Sequence, residues 1–204
     1  MTLSEFDNGV RKDHNVVCGC DEAGRGPLAG DVFAAAVIFD KDTVIEGIND
    51  SKKLTAKKRE ELFDEIMEKA VDFSIQTATV EEIEDINILN AAMLAMKRAV
   101  EDMDTKPDVC LIDGNKTPEG LECPAIAVVK GDAKSQAVAA ASILAKVARD
   151  RYMEQMAEQY PEYRFEKHKG YGTKLHYQMI DQYGPCGIHR MSFLKKYYAK
   201  KNGH

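Results

Sequence analysis

The stretch Val16-Val17-Cys18-Gly19-Cys20-Asp21-Glu22-Ala23-Gly24-Arg25-Gly26-Pro27-Leu28-Ala29-Gly30 sets the architecture. Val16 to Cys20 is a short apolar run with β-branched residues and reads as a strand. Asp31 to Phe39, rich in Ala and Val, reads as a second. Between them the glycines and Pro27 punctuate the chain and let it reverse, so the two strands form an antiparallel pair. Asp21 and Glu22 stand where the first strand gives out. Adjacent residues on a regular strand face opposite ways, so the two acids share a site only if the strand bends or ends there.

Outward from this hairpin, Thr55 caps a helix to about Ala70, with Leu62, Ile66 and Ala70 at four-residue spacing. Asp72 to Thr79 is a third strand. Thr79-Val80-Glu81-Glu82 is a capping-box pattern that opens a helix to about Met103. Val109 to Ile112 is a fourth strand, ending at Asp113-Gly114. Ala125 to Val129 is a fifth, ending at Lys130-Gly131-Asp132. Ala133 to about Gln159 is a helix dense in Ala, Ile, Leu and Val. Two shorter helices follow, about Thr173 to Tyr183 and Ser192 to Lys200. The order implies a mixed α/β sheet covered by helices, with a helical C-terminal extension. We divide the chain into a domain over 1–160 and a basic extension over 161–204 packed on it.

The 204 residues suffice to bury a core without disulfides or structural metal. No apolar run approaches the roughly 20 residues that span a bilayer, and Met1 to Asn15 lacks the apolar core of a signal peptide. Five cysteines, none in a Cys-x-x-Cys pair, point to a reduced, cytoplasmic protein rather than a zinc module. Cys18 and Cys20 should share one strand face. The net charge of −6 hides an asymmetry. Arg164 to His204 carries nine Lys/Arg against two Asp/Glu, an excess of +7, whereas the remainder stands at −13. A basic end on an acidic body suits phosphate binding beside an acidic metal centre, although a solvated tail would look the same.

Asp21-Glu22, Asp113 and Asp132 follow three candidate strands that fit as sheet neighbours, so the acids can converge. Converging carboxylates repel one another unless something neutralises them. Hard oxygen donors favour Mg²⁺ or Mn²⁺ over zinc, and four acids suit two-metal phosphodiester cleavage with no Ser or Cys nucleophile. Taken singly, each acid is also a turn residue or a cap. Asp132 in particular would cap a helix starting at Ala133.

Asp21 to Gly30 resembles the N-terminal signature of the ribonuclease HII family. Asp50-Ser51-Lys52-Lys53-Leu54, Ile112-Asp113-Gly114, Lys130 to Ser135, Ala140 to Asp150 and His168-Lys169-Gly170-Tyr171-Gly172-Thr173 agree in order. The likeness covers about Val16 to Arg190 and stops before Tyr197. It implies a ribonuclease H-like mixed five-stranded sheet flanked by helices. It implies metal binding by Asp21, Glu22 and Asp113, with Asp132 as the fourth active-site acid. In the family, Gly24-Arg25-Gly26 brings its backbone to the ribose and phosphates, and Tyr171 matches a tyrosine that reads the RNA–DNA junction. The implied activity is hydrolysis of the RNA strand of RNA–DNA hybrids, leaving 5′-phosphate and 3′-hydroxyl ends. Incision at ribonucleotides embedded in duplex DNA is implied too. A monomer is expected from the family, with no membrane partner.

Other residues carry weaker signals. Lys52 and Lys53 would hold phosphate or solvate a loop. Lys146 and Asp150 read as an i,i+4 pair. His168, His176 and His189 sit in the basic segment and read as surface or phosphate-contacting groups. The remaining C-terminal tyrosines read as packing. Rival functions are another carboxylate nuclease, such as a resolvase or exonuclease, and an inactive hybrid-binding module. A metal-buffering acidic protein would leave Gly24 to Gly30 unexplained.

Overall fold

In the computed structural model, which describes residues 2–49, 51 and 54–201, β1 spans Val17–Ala23 and β2 spans Val32–Ile38. They pair antiparallel from Cys18↔Ile38 to Ala23↔Phe33. Asp72–Ala78 forms β3, Val109–Asp113 forms β4 and Ala125–Val128 forms β5. The sheet order is β3-β2-β1-β4-β5. β4 runs parallel to both β1 and β5, so β1, β4 and β5 deliver their C-terminal ends to one edge.

The helices are α1 (Leu3–Val10), α2 (Ala56–Lys69), α3 (Val80–Glu101), α4 (Gln136–Gln159), α5 (Phe165–His168), α6 (Lys174–Tyr183) and α7 (Met191–Lys201). Local rules explain their starts. The Thr55 hydroxyl accepts from Lys58 N–H at 3.2 Å, and Thr79 with Glu82 completes the expected capping box. α1 was not expected, although Thr2 and Glu5 form the same box. α3 is broken at Asn87, whose φ is +68° and whose carboxamide oxygen recaps the helix through Leu89 and Asn90 N–H.

β2 is buried along its whole length, which is why its sequence is continuously apolar rather than alternating. Ala34 and Ala36 face α3 together with Cys18, Cys20 and Cys110. Ala35 and Val37 face α2 and α4. α4 starts three residues later than expected, after a 3₁₀ turn at Gly131–Ala133, and its cap is Ser135, which accepts from Val138 N–H at 3.2 Å. Asp132 is therefore not that helix's cap.

The C-terminal segment closes on the turn after β1. Leu28 N–H donates to the Gly170 carbonyl, Gly30 N–H to that of Ile188, and Arg190 N–H to that of Leu28, each at 2.8 Å. Among the described residues no helix is long and apolar enough to cross a membrane.

Candidate active site

β1 does not end at Asp21. It continues through Glu22 to Ala23, paired with β2 throughout. On its other side, pairing with β4 stops at Cys20↔Ile112. Asp21 and Glu22 thus belong to a strand paired on one side only, and the Glu22 N–H is taken by Asp21's own carboxylate at 2.7 Å. This one-sided pairing takes the place of the expected strand end. Both acids line a cavity of about 230 Å³ with Asp113, Ser51 and Ser142. Gly24, Arg25, Gly26, Lys146 and Tyr171 line it as well. A second cavity of about 220 Å³ shares Glu22, Arg25 and Asp113 and continues to Asn115 and Lys116.

Asp21 is 6 % exposed. Burial, then the charges of Glu22 and Asp113, hold its pKa well above the usual carboxylate range, against a lowering hydrogen bond from Ser142. Glu22 is paired with Arg25 at 3.2 Å, and Asp113 accepts from Gly131 N–H at 2.6 Å. Among the described residues no three His, Cys, Asp or Glu side chains form a finished ligand cage. The donor set that does converge is three carboxylates lining one cavity, and hard oxygen donors favour Mg²⁺ or Mn²⁺. Asp132 is buried and its turn supplies the Gly131 N–H to Asp113, but Asp132 itself is not part of the cavity lining. Lys52 lies outside the described residues. Lys146 pairs with Asp150 at 2.6 Å, as its spacing suggested, and also faces the cavity.

The two motif glycines have different reasons. Gly24 has φ +104°, and a Cβ there would sit 2.2 Å from Arg149 Nε, so the fold itself demands glycine. A Cβ on Gly26 would meet only Tyr171 Cε1, at an ordinary 3.7 Å. Among the described residues nothing else comes near enough to require glycine there, and Gly26 lines the cavity. Tyr171, 43 % exposed, stands across from it over the Arg149 guanidinium, whose Cζ lies 5.9 Å from the ring centre.

The three histidines are buried, not superficial. Cys186 N–H donates to His189 Nδ1 at 2.9 Å, so His189 carries its proton on Nε2 and donates to His176 Nε2 at 3.0 Å. His176 Nδ1 then donates to the Tyr171 carbonyl, also at 3.0 Å. His168 stacks on His176 and accepts from Gly170 N–H. Burial pushes His176 and His189 down to about 4, which keeps both neutral. Sequence patterning missed this hub because lysines surround it in the chain while long-range packing decides burial.

The ribonuclease HII family model matches residues 18–196. The chain belongs to the ribonuclease HII family. It is 54% identical over 189 residues to a ribonuclease HII of Caldicellulosiruptor saccharolyticus, covering 93% of this chain and 92% of that protein. It is 58% identical over 178 residues to one of Idiomarina loihiensis, covering 87% and 95%. The crystal structure of ribonuclease H2 from Pyrococcus horikoshii superposes with a TM-score of 0.75 at 28% identity, covering 93% of this chain and 100% of that one. The sheet order and the flanking helices are thus those of the family. As a member of this family, the chain is a metal-dependent endonuclease of the ribonuclease H type, acting on the RNA strand of RNA–DNA hybrids.

Proposed function

We propose that the chain, beyond cutting hybrids, incises at single ribonucleotides in duplex DNA by two-metal hydrolysis, giving 5′-phosphate and 3′-hydroxyl ends. One observation carries this reading: a single cavity is lined by Asp21, Glu22 and Asp113 together with Gly26 and Tyr171. Asp21, Glu22 and Asp113 hold the cations, Mg²⁺ or Mn²⁺, and Asp132 is the fourth acid at their edge. A divalent metal held there would supply a lowered pKa for an attacking water and charge stabilisation for a leaving 3′ oxygen. Gly26 leaves room for a ribose against the backbone, and Tyr171 packs on the sugar beside the cut. The 2′-hydroxyl is the group that such a contact can use to tell RNA from DNA. Arg25 and Lys52 contribute positive charge toward the phosphates. Residues 161–204 act as a basic extension of the catalytic domain 1–160, and the protein works as a cytoplasmic monomer.

The test is cleavage of matched DNA–DNA, RNA–DNA and single-ribonucleotide duplexes, with and without Mg²⁺. Metal-dependent cutting of the last two only is expected. Cutting of all-DNA duplex would instead support a resolvase or exonuclease. Tyr171→Ala should reduce cleavage by about 10-fold at the single ribonucleotide, which corresponds to about 1.4 kcal/mol of lost transition-state contact. It should cost less on a continuous hybrid, and an equal loss on both would remove Tyr171 from junction reading.

A further inference from the structure

Arg190 lies outside the cavity lining and is fully buried, yet it makes five hydrogen bonds to one short loop. Its Nη2 donates to the carbonyls of Gly24 at 2.7 Å and Gly30 at 2.6 Å. Its Nη1 donates to those of Arg25 at 3.2 Å and Pro27 at 2.9 Å, and Nε donates to Gly30 at 2.8 Å. Arg149, also buried, ties the end of the same loop to the C-terminal segment, donating to the Ala29, Asp31 and Lys169 carbonyls at 3.1 Å each.

The consequence lies on the opposite side of each peptide. In a planar trans peptide the C=O and the following N–H point in opposite directions. Holding the Gly24 carbonyl inward turns the Arg25 N–H outward, and holding the Arg25 carbonyl inward turns the Gly26 N–H outward. Neither N–H has an acceptor among the described residues. Successive outward N–H groups make a concavity that takes an anion.

We propose that Arg190 is a positioning residue for the reaction, fixing the Gly24–Gly26 peptide planes so that two backbone N–H groups face the scissile phosphate region. The proposal rests on the reading that this loop holds substrate. It explains why an arginine is buried with carbonyls as its hydrogen-bond partners. A planar fork can reach four carbonyls at once, which a lysine ammonium cannot.

The test is a double-variant cycle of Arg190→Lys and Gly26→Ala on a hybrid substrate. Each variant's kcat, KM, Mg²⁺ half-saturation and melting temperature are measured at a temperature where it is folded. Arg190→Lys should lower kcat/KM by about 100-fold, the scale of a ~1 Å misplacement at a reacting centre. KM should rise and the Mg²⁺ half-saturation should hold within about twofold. Gly26→Ala should cost markedly less in the Arg190→Lys background than alone, because the two act on one loop. A folded Arg190→Lys enzyme with wild-type kcat and KM, or strict additivity with Gly26→Ala, overturns the clamp. If Arg190→Lys is unfolded, Arg190→Gln takes its place, and two unfolded variants assign the arginine to the fold alone and also overturn it. If Gly26→Ala by itself leaves activity unchanged, the failure belongs to the loop reading and not to Arg190.

Discussion

At the edge of the sheet Asp21 stands buried beside Glu22 and Asp113, and burial and like charge both raise its pKa. In the C-terminal hub, Arg149, Arg190, His168, His176 and His189 are buried as well, but backbone carbonyls and N–H groups meet them, and the two innermost histidines stay neutral. The first region keeps a conflict that a cation would relieve. The second has its polar atoms matched and grips the loop that carries the other half of the cavity. Carboxylates left facing one another mark where chemistry is done, and groups with their hydrogen bonds met mark what holds it in place, although burial and the neighbouring Arg149 still push Arg190 down to about 9.

The sharpest way to break this comparison is at Asp21. Asp21→Asn should cut cleavage by at least about 10³-fold, as expected when a metal clamp worth several kcal/mol is lost. Hybrid binding should survive, since the basic groups and the loop remain. Steady-state cleavage with a parallel binding assay checks it, and retained cleavage removes Asp21 from the metal centre.

The motif glycines come next. Gly26→Ala should lower activity by about 100-fold by filling the space the ribose needs, with the melting temperature unchanged. Gly24→Ala should instead destabilise the protein by about 2 kcal/mol or more, because its φ is strained for an L-residue and its Cβ collides with Arg149. Denaturant unfolding and kinetics on both variants separate the two. A large stability loss in Gly26→Ala would merge what the geometry divides.

The effect that shows only on acidification, and leaves the neutral-pH enzyme untouched, belongs to the hub. His176 and His189 titrate at about 4 in the fold against 6.5 ordinarily, so the unfolded chain binds more protons between those values. Stability is therefore complete above about pH 6.5 and falls as pH drops toward 4, by up to about 3 kcal/mol per histidine. Melting temperatures from pH 7.5 to 4 follow this slope, and His176→Gln with His189→Gln should flatten it.

What was legible in the sequence follows the range of the interactions involved. Thr55 and Thr79 announce their helices because a cap is decided within three residues, and the Thr2–Glu5 box carried the same signal for α1. Glycine and proline placed the hairpin turn, and the apolar runs gave the strand order's central members. Other features required the folded chain. Whether β1 stops at Asp21 depends on where β4 ceases to pair, far away in sequence. Asn87 breaks α3 by capping within it, which helical periodicity does not register. The three histidines read as surface groups because the segment around them is basic, yet the fold buries them against one another and against Tyr163, Tyr171 and Cys186. Arg149 and Arg190 are turned inward by the carbonyls of Ala29 and Gly30.

Burial first, and then repulsion from Glu22 and Asp113, strain the Asp21 carboxylate, and a bound divalent cation would relieve that strain. The most direct measurement is the melting temperature of wild type and Asp21→Asn, each with and without millimolar Mg²⁺. Wild type should melt higher with Mg²⁺, whereas Asp21→Asn should melt above wild type without metal and gain little from it. An Asp21→Asn protein that melts below metal-free wild type, or that gains as much from Mg²⁺ as wild type does, contradicts this expectation.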